Sequence, residues 1–62
     1  MSVERIAYVV MVSAVDIEGV YIDVVDIFLS EKDAKKAAEK LSKQNEWNDE
    51  VAYFVNKTKF YI

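Results

Sequence analysis

The residues able to do chemistry are few and fall into three groups. Four carboxylates, Asp16, Glu18, Asp23 and Asp26, crowd one short stretch. Carboxylate oxygens suit Mg²⁺ or Ca²⁺, and paired carboxylates serve hydrolysis. However, Asp16-Ile17-Glu18-Gly19 does not follow the spacing of a calcium loop, and strict alternation along a strand sends Asp23 and Asp26 to opposite sides. Solvated loop and edge charges explain the cluster more simply. Lys57 and Lys59 lie between Tyr53 and Phe60-Tyr61, an interleaving of basic and aromatic residues that a single-strand-binding sheet would use. Edge-protecting lysines account for it with fewer assumptions. Trp47 sits in a polar stretch. It suits either an anchor for a partner or a lid on the open end of a small core. The lid is favoured, because burying a Trp helps a chain short of apolar area.

Composition removes most other chemistry. The 62 residues include no His, no Cys, no Pro and one Gly. Ser-His triads, thiolate nucleophiles, zinc fingers, and haem or iron–sulfur ligation of the usual kinds are therefore out of reach. One Gly cannot build a phosphate-cradling loop. No catalytic residue, metal or cofactor is assigned, and the expectation is that the chain is not an enzyme. The absence of disulfides and the brevity of the apolar run Ile6–Val15, too short to span a bilayer, point to a cytoplasmic protein without membrane contact. The net charge of −3 disfavours a nucleic-acid partner. Charge is also uneven: residues 1–31 hold six acids against Arg5 alone, whereas residues 32–62 hold seven lysines against five acids.

The elements that must position these groups read as β-β-α-β within one domain, residues 1–62. Arg5–Val15 and Val20–Leu29 are rich in Val, Ile and Tyr and flank Asp16-Ile17-Glu18-Gly19, a hairpin with a loop of about four residues. Ser30 starts a helix in an approximate capping box with Asp33. Ala34, Ala37, Ala38 and Leu41 form its apolar stripe, Glu31–Lys35 and Glu39–Lys43 are favourable pairs one turn apart, and the helix should end near Gln44 or Asn45. Residues 50–62 read as one strand, with room for a bulge. The fold class is α+β: a three-stranded antiparallel sheet, order 2-1-3, with one helix on one face.

Alternation then divides the side chains between two faces. The even positions of strand 1, with Val20, Ile22, Val24 and Phe28 of strand 2 and Phe54, Phe60 and Ile62 of strand 3, are bulky and suit the Ala-rich helix. The odd set comprises Ala7, Val9, Met11, Tyr21, Val25, Ile27, Tyr53, Val55 and Tyr61, with Asp23, Lys57 and Lys59 toward its margins. No second helix exists to cover it, and an uncovered apolar face of this kind marks an interaction surface. Val9, Met11, Tyr21, Val25, Ile27, Tyr53, Val55 and Tyr61 are the expected interface.

Size supports the same expectation. Scaling with mass gives a folded surface of about 4,100 Å² and an unfolded one of about 10,400 Å². Burying the difference, about 60% of it apolar, contributes on the order of 95 kcal/mol, against roughly 93 kcal/mol for ordering the chain. A lone chain is marginal, and self-association is an ordinary remedy.

The stretch Phe28-Leu29-Ser30-Glu31-Lys32-Asp33-Ala34, after the Gly19-Val20-Tyr21 hairpin and before an aromatic strand, resembles small phage and mobile-element accessory proteins of strand, capped helix and final strand. The resemblance implies an accessory factor, in some cases an inhibitor of a host enzyme or antiviral-defence system, frequently acting as a dimer. The expected function is thus a non-enzymatic homodimeric or higher-oligomeric protein-binding module, its partners a second copy and another protein. The alternative is sequestration of a nucleotide-like ligand at an oligomer interface lined by Tyr21, Tyr53, Tyr61 and the lysines.

Overall fold

A computed structural model describes residues 2–62. The elements are β1 (Glu4–Asp16), β2 (Gly19–Phe28), α1 (Glu31–Gln44) and β3 (Val51–Tyr61). They form the expected α+β arrangement, a sheet of order β2-β1-β3 with both pairings antiparallel.

The hairpin is tighter than its sequence suggests. Asp16 and Gly19 already pair as strand residues, leaving Ile17-Glu18 as the turn. The Asp16 carboxylate accepts from the N–H groups of Glu18 (2.7 Å) and Gly19 (3.1 Å), a local bond that Asp supplies and aliphatic residues cannot. Gly19 has φ +137°, a backbone region closed to most L-residues.

The helix begins as its cap signal requires. Ser30 Oγ accepts from the Asp33 N–H at 3.4 Å. Glu31–Lys35 (2.8 Å) and Glu39–Lys43 (3.4 Å) line its solvent side, each worth a few tenths of a kcal/mol, roughly. At the other end the Asn45 amide donates to the Leu41 carbonyl (3.0 Å) and to the Tyr53 hydroxyl (3.2 Å). The end of α1 is thereby tied to β3.

Val10, Ala34 and Ala38 form the core, with Tyr8, Phe28, Ala37, Leu41, Tyr53 and Val55 packed around them. Ala34, Ala37, Ala38 and Leu41 are the stripe read from the sequence. Small helical residues let the helix approach closely, and larger strand residues fill the layer from the other side. The core is nevertheless slight: Val10 is the one large side chain there wholly removed from water. Trp47 does not close it. That residue is 78% exposed, and the contact recorded at this end of the helix is the Asn45–Tyr53 bond.

β3 is a single unbroken strand, in register with β1 from Glu4↔Tyr61 to Ala14↔Val51. The irregularity lies in β2 instead, where the partners of Val10 and Met11 are Asp26 and Val24. Val25 is the extra residue of a β-bulge, which reverses the alternation along the rest of the strand.

The molecule is a plate, 47 × 25 × 11 Å in Cα extent. Its radius of gyration is 13.6 Å, against about 11 Å for a compact chain of this length. None of the helices among the described residues is long and apolar enough to cross a membrane. Val10→Ala is expected to cost about 2–3 kcal/mol, the loss of a well-packed aliphatic side chain with little room to collapse around it. A denaturant titration checks this, and an unshifted midpoint would place the core elsewhere.

Candidate functional site: the open face of the sheet

Directly opposed residues in an antiparallel pair share a face, so the register assigns every strand side chain. Val10 faces the helix. Its neighbours in register are Val55 and Asp26, and Tyr53 and Asp23 oppose Val12 in the next row on that side. The other face carries Arg5, Ala7, Val9, Met11, Ser13 and Val15 of β1. Opposite them lie Val20, Ile22, Val24 and Ile27 of β2, and Ala52, Phe54, Asn56, Thr58 and Phe60 of β3. Ile62 continues this ladder through its mutual backbone bonds with Val3. Nothing among the described residues covers this face. Val15, Val20, Ile22, Val24, Ile27 and Phe54 are exposed on it, and Val9 and Met11 are half-buried in its middle.

The expected interface divides accordingly. Val9, Met11 and Ile27 do lie on the open face, and Val25 is the bulged residue. Tyr21, Tyr53, Val55 and Tyr61 lie on the helix side, where Tyr53 and Val55 pack against α1. Conversely Val20, Ile22, Val24, Phe54, Phe60 and Ile62, expected beneath the helix, belong to the open face. Two physical causes account for the exchange. The Val25 bulge inverts the parity of β2 beyond it, and the β1–β3 register pairs even positions with odd ones. The spacing of Asp23 and Asp26 carried the missed signal: two acids three apart in an apolar strand share a side only if a residue bulges between them.

Charge follows the same division. Glu4, Asp16, Asp23, Asp26, Lys57 and Lys59 all lie on the helix side. Arg5 is the only charged strand residue on the open face. A half-solvated sheet ordinarily places its polar residues away from the helix, and here the uncovered face is the nearly uncharged one. Lys57 and Lys59 flank the start of α1: Lys59 pairs with Glu4 at 3.2 Å, and Lys57 adds to the field at Glu31. Glu31 and Lys35 hold each other charged, the carboxyl shifted down mainly by the bond from Lys35 and the ammonium up mainly by the bond to Glu31.

The candidate ligand groups do not converge. Tyr21 opposes Ala14 near the hairpin, Tyr61 opposes Glu4 at the far end, and Tyr53 is engaged with Asn45. Among the described residues no three carboxylates gather as a metal site would require. Two shallow depressions occur, one of 520 Å³ along Glu31, Lys32, Lys35, Lys36 and Glu39, and one of 210 Å³ at the hairpin. The first lies along α1, and the second meets the open face only at Val20. The hairpin end does gather like charge, because Val15 N–H donates to the Glu50 carbonyl at 3.0 Å and draws the loop bearing Glu46, Asp49 and Glu50 against the hairpin. The chain matches no protein-family model, no curated protein and no solved structure.

The surface excess is large enough to measure. The accessible area is 5003 Å², about 900 Å² above the size scaling for this mass. With about 60% of it apolar, that excess forgoes roughly 13 kcal/mol of burial, as much as a whole domain's usual net stability.

One local pair has a titration consequence. The Tyr21 hydroxyl donates to Asp23 at 2.7 Å. That bond, with the adjacent negative charge, raises the phenol above its ordinary range, and it lowers the Asp23 carboxyl together with the Val24 N–H. The Asp23 contribution to stability is present above the ordinary carboxylate range and is lost as pH falls through the depressed value. The Tyr21 contribution is present below the ordinary phenol range and is lost as pH rises through the elevated one. Asp23→Asn is expected to bring the Tyr21 titration down toward the ordinary phenol range, followed by ultraviolet absorbance of tyrosinate. Identical curves for the two proteins would show the bond absent in solution.

Proposed function

We propose that the chain is a non-enzymatic, oligomeric protein-binding module whose docking surface is the open face of its sheet. A single observation carries the reading: among the described residues the uncovered face is mostly aliphatic and aromatic, with Ser13, Asn56 and Thr58 its neutral polar residues and Arg5 its one charge, while the charges of all three strands otherwise lie on the helix side. Solvation would favour the opposite distribution. The lack of His and Cys supports a binding role over a catalytic one. The lack of cysteine also suits a cytoplasmic setting. With a host or antiviral-defence protein as its further partner, this is the inhibitor role that the resemblance to small phage accessory proteins implies.

Size-exclusion chromatography with light scattering tests the assembly. The expected mass at tens of micromolar is at least twice 7.2 kDa. A folded, monodisperse monomer at that concentration overturns the reading.

A further inference from the structure

The open face is large enough, and the two ends of the molecule different enough, to say which partner fits and in what orientation. The molecule as a whole exposes about 900 Å² more than the scaling for its mass, an excess comparable to the roughly 800 Å² that each partner contributes to a standard stable interface. Pairing by strand edges would bury a narrow strip and leave that face wet. β2 is moreover poorly prepared for edge pairing. Its Val24 and Ile27 N–H groups donate to the carboxylates of Asp23 and Asp26, both at 2.8 Å, and the bulge at Val25 interrupts its line. Both features discourage a neighbouring strand.

The ends differ in charge. Asp16 and Glu18 occupy the hairpin end, with the acidic 46–50 loop beside them. Arg5 lies at the other end of β1 and points to the open face, whereas Glu4, Lys57 and Lys59 at that end point to the helix side, where Glu4 and Lys59 pair at 3.2 Å. We propose that the open face docks a second copy of this chain, face to face and antiparallel, so that Arg5 of each copy lies over Glu18 in the hairpin turn of the other. This rests on the association reading above and names its partner. A two-fold axis across the strands at the middle of β1 produces this contact twice. It also brings Met11 of both copies into the dry centre. The parallel alternative would place Arg5 over Arg5 and one hairpin turn over the other.

Oxidation of Met11 by dilute peroxide, read by peptide mass spectrometry on the wild-type protein, tests the face without any change of fold. Where light scattering shows a tenth of the chain as monomer, the rate is expected to fall about tenfold relative to the dilute protein, because only the free face reacts. Arg5→Glu is expected to weaken the dimer about tenfold, since two exposed pairs of ordinary strength are lost and replaced by repulsion. Adding Glu18→Lys should restore the lost affinity. An oligomer in which Met11 oxidises at an unchanged rate overturns the face contact and leaves the association reading standing. A wild-type monomer overturns both. Protection of Met11 without rescue by the double exchange overturns the antiparallel order.

Discussion

The length of β1 governs the rest of this molecule. Thirteen extended residues reach about 43 Å, whereas the fourteen residues of α1 rise only about 21 Å. One helix therefore shields about half the length of one face, and the sheet has two faces. Val10, at the middle of β1, sits where strands on both sides and helix above all meet, and it is correspondingly the best-buried large residue. Toward either end, cover thins on the helix side. On the opposite side there is none.

Given that shortage, the placement of charge decides what the uncovered regions are for. On the helix side, beyond the reach of α1, the strands carry Glu4, Lys57, Lys59, Asp16 and Asp23, several already engaged in short polar contacts. Those regions are comfortable in water. The open face lacks such groups along most of its length and instead presents Val, Ile, Phe and Met. The bulge at Val25 is what makes the segregation consistent. Without it, Asp23 and Asp26 would fall on opposite faces, as would Val24 and Ile27, and one carboxylate would stand on the open face. A single inserted residue thus keeps a charge off the surface that most needs to stay apolar.

Much of this fold was legible in the residues themselves, and the failures have a common origin. The helix was clear because its start, stripe and ion pairs repeat one period, so several local signals agree. The strand order followed from the doubly apolar β1, which only a central strand tolerates. The faces of β2 and β3 were not legible from alternation alone. In β3 both parities are apolar at Val51–Val55 and both polar at Asn56–Lys59, so no register is favoured locally. The pairing is set by long-range contact with β1. In β2 the bulge broke the period midway. The existence of an uncovered apolar face survived these errors, because it depends on the number of helices and not on the register. Its membership did not. Trp47 misled for a related reason: the closing role went to the polar pair Asn45 and Tyr53, eight residues apart, which no periodicity connects.

A flat apolar face on a small sheet is also a hazard, since stacking and edge growth together build fibrils. This chain separates the two routes. Along β2 the aspartates occupy backbone donors that a new strand would need, and the bulge bends the line of the edge. Lys57 and Lys59 place like charges along β3, so two β3 edges brought together repel. The face, by contrast, is unguarded except by Arg5. An isologous contact through that face consumes it entirely and leaves no second copy of the same surface for a third chain. The discouraged edges and the open face therefore work in the same direction. Growth within the sheet is opposed, and in the proposed pair growth by stacking would end at two layers and would bury apolar area that one short helix leaves open.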